Sequence, residues 1–201
     1  MHFDLKAIIE AVGIIGLTGI IFAESGLFFG FFLPGDSLLV TAGLLATQGY
    51  FHLGVALPVL AVAAVAGDSV GYWFGRKVGP KIFRREDSLL FKKSHLERAH
   101  AFYKKYGGKT IFLARFVPIV RTFAPIVAGA ADMSYKKFIS FNIFGGIFWT
   151  SSMLLIGYFL GSVIPDVDKY ILPIIVIIVF VSILPGIIEG FKARGKPNDN
   201  H

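Results

Sequence analysis

The sequence predicts an all-α membrane protein built as an inverted repeat. Each unit is a re-entrant hairpin plus a transmembrane helix, giving about four spans, two re-entrant hairpins and an interfacial amphipathic helix. Three observations lead there: the composition, two apolar segments broken at their middles, and a weak internal repeat. The 201 residues are 55% hydrophobic and only 16% charged, with a mean hydropathy of +0.69. A soluble domain carries about 25% charged residues, so much of this surface faces something other than water. Several apolar stretches reach the ~18–20 residues that cross a ~30 Å hydrocarbon core.

In chain order, residues 5–23 read as a first apolar helix. Residues 24–46 follow as an apolar stretch interrupted by Leu33-Pro34-Gly35-Asp36. Proline beside glycine is a strong turn signal, and each half is too short to span, so this is the first hairpin. Residues 52–76 are long enough to span, and 77–109 form a basic segment. Within that segment, Leu96, Ala99, Phe102, Tyr103 and Tyr106 share a helical face ringed by Lys93, Arg98, Lys104 and Lys105, as in a helix lying on a membrane surface. Residues 110–131, broken at Pro118 and Pro125, read as the second hairpin. Residues 138–163 and 170–191 are the last spans, and 192–201 form a tail, all in a single membrane domain.

Charge orients these elements. Eleven of the twenty basic residues lie between Arg76 and Lys109, against the acids Glu86, Asp87 and Glu97. With both broken segments re-entrant and both termini cytoplasmic, Arg76–Lys109, Lys136-Lys137 and the tail Lys192, Arg194 and Lys196 all fall inside. The uncharged Thr47–Phe51 and the acidic Pro165-Asp166-Val167-Asp168 fall outside, as the positive-inside rule requires. A full crossing by both broken segments would put the basic tail on the wrong side. The first residues show neither a basic leader nor a small-residue cleavage site.

Sliding the chain by 86 positions lays Ala42-Gly43 on Ala128-Gly129, and Gly71-Tyr72-x-x-Gly75 on Gly157-Tyr158-x-x-Gly161. Both halves then read as broken hairpin, loop and long helix, entering from opposite sides. Inverted repeats with discontinuous elements meeting near the midplane are a recurring transporter design. Gly67, Gly71, Gly75 and Gly79 form a smooth stripe for close helix approach, within one chain or between two copies of a homo-oligomer.

The chemistry lies in charged residues inside the apolar segments. Glu24 closes the first helix, Asp36 sits at the first hairpin's turn, Asp68 lies within the third segment, and Arg115 and Arg121 flank Pro118. Each such charge costs ~2.5–3.5 kcal/mol on an insertion scale and normally faces a cavity or partner. Acids come from the first repeat and arginines from the second, so meeting hairpin tips would join them at one site. Arginine offers a planar fork matched to phosphate or carboxylate. Desolvation disfavours the charged form of an acid, whereas a nearby arginine favours it, so anion binding at Arg115 and Arg121 could free Glu24, Asp36 and Asp68 to take protons. The plainer reading is that these five residues neutralise one another and hold the hairpins together. Asp68, Tyr72 and Arg76 are spaced by four, so an intrahelical network could satisfy Asp68, with Arg76 a snorkelling anchor.

Other classes fit less well. The basic residues cluster beside membrane segments, which argues against nucleic acid. There is no cysteine, and all five histidines fall outside the apolar core. His-Glu-x-x-His and Gly-x-Ser-x-Gly motifs are both missing. No enzyme activity, cofactor or metal is expected.

At Phe22-x-Glu24, Phe32-Leu33-Pro34-Gly35-Asp36 and Gly67-Asp68-x-x-Gly71-Tyr72-x-x-Gly75-Arg76 the sequence resembles the DedA family, the bacterial branch of the VTT-domain (SNARE-associated Golgi protein) superfamily. The resemblance continues through Arg115-Phe116-x-Pro118-x-x-Arg121-x-x-x-Pro125-x-x-Ala128-Gly129-x-x-x-Met133, then Phe138, Asn142, Gly145 and Trp149, covering about Phe22 to Gly161. It implies a bacterial inner-membrane protein with two re-entrant hairpins. It further implies lipid translocation, above all undecaprenyl phosphate recycling, and dependence on the proton motive force. By the family's pattern Glu24 and Asp36 are the membrane acids, and Arg115 and Arg121 the essential arginines. The expected function is a proton-coupled transporter or flippase of an anionic lipid or polyprenyl phosphate. The alternatives are a proton-coupled antiporter of a small ion or solute, and a purely structural membrane protein.

Overall fold

The computed structural model describes residues 5–27, 35–82 and 101–163, and every element among them is helical. Pro34, the 170–191 span, the 192–201 tail and most of the basic segment lie outside the described residues. Six helices are labelled here: α1 (Leu5–Gly26), α2 (Gly35–Thr47), α3 (Leu53–Ile82), α4 (Lys109–Ala114), α5 (Pro118–Ala130) and α6 (Tyr135–Val163). Residues 101–106 form a further helical turn ahead of α4. At 30 and 29 residues, α3 and α6 each extend about 45 Å and can cross a bilayer. At 13 residues each, α2 and α5 reach only about 20 Å and cannot.

The long helices α3 and α6 are antiparallel. Leu57 and Met153 pack on one core cluster, Asn142 donates to the Val65 carbonyl at 3.0 Å, and Tyr72 stacks on Phe138 with centroids 4.6 Å apart. The order of partners along one helix is the reverse of that along the other.

The first hairpin differs from expectation. The sequence reading has residues 5–23 crossing the membrane alone and a hairpin starting at 24. In the structure α1 runs unbroken through Glu24 to Gly26, since nothing before Ser25-Gly26 breaks the helix. Gly13 lies against Phe51, in the α2–α3 connection, whereas Gly26 lies against Gly67, midway along α3. Helix α1 therefore runs from the start of α3 to its middle. Helix α2 begins beside Glu24 and ends with Thr47 beside Gly161, returning to the same end. So α1 is itself the ascending arm, and its N-terminal part lies at the end that carries the α2–α3 connection. This is opposite to the basic end, where the N-terminus was expected.

The second hairpin is α4 and α5. Gly107 and Gly108 lie against Lys137 and Phe141 near the start of α6, and Ala130 ends α5 beside Gly79, so both ends of this segment share one side. The break falls at residues 115–117, where Val117 is extended (φ −117°, ψ 106°) and Pro118 opens α5. Proline suits a first helical position because its missing N–H would be unpaired there anyway. Pro125, expected as a second turn, lies inside α5. Its ring removes one helical hydrogen bond, but the backbone stays helical through Ala130.

The repeat is visible in the contacts. Helix α2 packs along α6 and α5 along α3, each descending arm lying against the other unit's long helix. A side chain at Gly43 would strike the Leu154 carbonyl and Tyr158 amide, and one at Gly129 the Tyr72 carbonyl and Arg76 amide. Gly43 and Gly129, like Tyr72 and Tyr158, are 86 positions apart. The alignment of small residues thus reflects backbone contact between small-residue helix faces. Gly129→Ala is expected to destabilise the protein by about 1–3 kcal/mol through overpacking. Gly19→Ala, with open space around the glycine, should be neutral or stabilising; thermal unfolding of both variants in detergent checks the contrast.

The polarity of the bundle is inverted relative to a water-soluble protein. Val62, Phe144, Phe159 and Val163 are 63–76% exposed, while Glu24, Asp68, Arg115 and Asn142 are at most 5% exposed. Apolar residues outside and paired charges inside are what hydrocarbon surroundings demand.

Candidate functional site

The two hairpin tips meet through charged residues. Glu24 comes from the last turn of α1, Asp36 is the second residue of α2, and Arg121 lies in the first turn of α5. The Arg121 guanidinium bridges both acids. Its Nη1 donates to Asp36 Oδ1 at 2.6 Å, and its Nη2 donates to Glu24 Oε1. Arg121 and Glu24 are almost enclosed, whereas the Asp36 side chain is 36% exposed and opens the group to its surroundings.

Trp149 of α6 completes the group. Its ring lies 4.6 Å from the Arg121 guanidinium carbon, within cation–π range, and its Nε1–H donates to the same Asp36 oxygen at 2.8 Å. Gly35, the first residue of α2, leaves the space that Glu24 fills: any Cβ there would coincide with Glu24 Oε2. Trp149→Phe keeps the ring but loses the donor. It should lower stability by about 1–2 kcal/mol, since Asp36 is partly solvated, as read by unfolding in mixed micelles.

Arg115 and Asp68 form a second, separate group. Arg115 Nη2 donates to Asp68 Oδ2 and Asn142 Oδ1, and Asn142 is anchored in turn on the Val65 carbonyl. The arginine lies over Gly145 and Gly146, which leave it room. Asp68 is therefore not satisfied by an intrahelical network. Arg76 instead receives no carboxylate from α3: it donates to the Tyr72 hydroxyl at 3.1 Å and pairs with Asp132 at 3.4 Å, with its side chain 42% exposed.

The five charged residues singled out in the sequence thus divide into a group of three and a pair. The sequence reading missed two partners as site residues, Trp149 and Asn142. Each carries a signal, because an indole N–H or a side-chain amide buried in an apolar helix needs a partner. An apolar groove of about 700 Å³ runs between α3 and α6, lined by Leu57, Ala61, Val65, Ile139, Ile143 and Ile147 among others.

Helices with apolar outer faces around an enclosed ionic centre define an all-helical integral membrane protein. The chain belongs to the VTT-domain family, in its DedA branch. The family model for the VTT domain matches residues 33–159, a span that includes Asp36, both arginines, all of α3 and α6 as far as Phe159. The chain is 49% identical over 172 residues to Protein DedA of Escherichia coli (strain K12), covering 85% of this chain and 78% of that protein. It is 49% identical over 184 residues to an uncharacterized membrane protein of Mycobacterium tuberculosis (strain H37Rv), covering 89% and 80%. It is 36% identical over 148 residues to the inner membrane protein YqjA of E. coli (strain K12), covering 71% and 65%. No solved structure matches the chain.

Proposed function

We propose that the chain is a non-enzymatic transporter or flippase that moves a lipid phosphate across the bacterial inner membrane, driven by the proton motive force. The cargo is a polyprenyl phosphate such as undecaprenyl phosphate, or a phospholipid. The observation that carries this reading is Arg121 held between Glu24 and Asp36 where the hairpin tips meet. A guanidinium supplies a fork for an oxyanion, and two carboxylates in contact with it can exchange protons as that anion comes and goes. The two hairpins are taken as re-entrant. The end carrying Arg76, Lys136 and Lys137 is taken as cytoplasmic by the positive-inside rule.

A lipid is favoured over a small soluble anion by the apolar groove between α3 and α6, whose polar lining is confined to Ser69 and Tyr135. The charged head would pass between the tips while the tail stays in apolar surroundings. The test is a flux assay in liposomes with an imposed pH gradient. Labelled polyprenyl phosphate or phospholipid should change leaflets, and dissipating the gradient should stop it. Gradient-dependent flux of a soluble anion with no lipid movement would instead establish the antiporter.

A further inference from the structure

We propose that the Glu24 carboxylate is a resident stand-in for the cargo's anionic group, occupying the oxyanion position between Arg121 and the N-terminus of α2. The cargo anion takes that position when Glu24 accepts a proton and withdraws. This rests on the reading of the site as an anion-transport centre and assigns the anion to Arg121 rather than to both arginines.

Geometry argues for it first. Glu24 crosses from α1 to the first residue of α2, where Gly35 has no side chain to keep it out. One of its oxygens accepts from Arg121. The other, Oε2, is buried against Gly35 and accepts no hydrogen bond among the described residues. Helix α2 has 13 residues, and the first turn of such a helix offers unpaired N–H groups and a positive dipole end to an anion. A carboxylate placed there copies two oxygens of a phosphate: one accepts from a guanidinium N–H and the other lies at a helix N-terminus.

The two acids on Arg121 are not equivalent. Asp36 is fixed by a second side-chain donor, the Trp149 indole, whereas Glu24 is held by the Arg121 side chain and by the backbone at Gly35. With one side-chain donor against two on Asp36, Glu24 is the partner that leaves. The other arginine is tied differently. Arg115 is committed to Asp68 and Asn142 and packed against Gly145 and Gly146, so it braces α3 against α6.

Charge supports a one-for-one exchange. The charged groups facing Glu24 are Arg121 from α5 and Asp36 from α2. Helix α3 contributes Asp68, which is neutralised by Arg115, and α6 contributes the uncharged Trp149. Two guanidiniums against three carboxylates leave one net negative charge at the centre. When Glu24 gains a proton and a singly charged oxyanion enters, that net charge is unchanged. Entry of an anion without the proton would add a second unbalanced charge in a buried site, which costs several kcal/mol. Anion and proton therefore enter together.

The test is calorimetry on the purified full chain in detergent. Perchlorate serves as a singly charged tetrahedral oxyanion probe with no titrating proton near neutral pH, alongside inorganic phosphate and a short-chain isoprenyl monophosphate. Titrations in buffers of different ionisation heat count the protons. Wild type should take up about one proton per perchlorate, and its affinity should rise up to about tenfold per unit fall in pH. Glu24→Gln should bind perchlorate with no proton uptake and little pH dependence. Wild-type binding without proton uptake overturns the proposal, and this measurement needs no variant. Wild-type proton uptake retained in folded Glu24→Gln also overturns it. Tighter binding of the isoprenyl monophosphate than of inorganic phosphate, with the same proton count, assigns the site to lipid. Inorganic anions bound with that count and no isoprenyl phosphate bound leaves the exchange standing and defeats the lipid reading.

Discussion

Arg121→Ala is expected to destabilise the protein by about 3–5 kcal/mol, because it strands Glu24 as an uncompensated buried carboxylate. The magnitude follows from the enclosure of the pair, with side-chain exposures of 11% for Arg121 and 3% for Glu24. Adding Glu24→Gln should recover a large share, about 2 kcal/mol, since the stranded charge is then gone. Lipid-phosphate movement should be lost in both variants, because neither retains the guanidinium fork. Equilibrium unfolding in mixed micelles and the liposome assay separate the two effects. A loss of stability that Glu24→Gln does not relieve would mean that packing around Arg121, rather than its charge, holds the tips together.

The second large effect concerns Arg115. Arg115→Met removes the partner of Asp68, whose side chain is only 7% exposed, and should cost a further ~3–5 kcal/mol when made alone. The double change Arg115→Met with Asp68→Leu removes both charges and replaces them with apolar volume. Such replacements are often neutral or stabilising, so the double variant should unfold near wild type. As a brace, this pair should also be dispensable for flux to within a few-fold. A well-folded double variant with no flux would place Arg115 in the transport centre beside Arg121.

The contrast between these arginines shows what sequence could and could not reveal. Glu24, Asp36, Asp68, Arg115 and Arg121 were legible as special because a charge in an apolar segment is costly wherever it points. Which acid meets which arginine was not legible, because the separations along the chain run from 47 to 97 residues and only the packing of four helices settles them. Spacing by four suggested an intrahelical network of Asp68, Tyr72 and Arg76, but Arg76 faces Tyr72 and Asp132 while Asp68 pairs with Arg115. The repeat was legible in its glycines because close backbone approach tolerates little else. Gly43 and Gly129 meet the long helices in equivalent ways.

The first hairpin was only half legible. Leu33-Pro34-Gly35-Asp36 marks a break before α2, but nothing in an apolar run says where in the bilayer a helix stops. Length alone made residues 5–23 a span, and the contacts of Gly13 and Gly26 make α1 an arm. Trp149 and Asn142 were hidden for a similar reason. An indole or a side-chain amide in an apolar helix signals that a partner exists, but only the packing shows which residue it is.

The most direct measurement is an electron cryomicroscopy map of the full chain in lipid nanodiscs saturated with a polyprenyl phosphate at mildly acidic pH. Headgroup density is expected between the hairpin tips, within hydrogen-bonding distance of Arg121 and the first turn of α2, with the Glu24 side chain turned away. Headgroup density only elsewhere, with Arg121 still bridging Glu24 and Asp36, would contradict it.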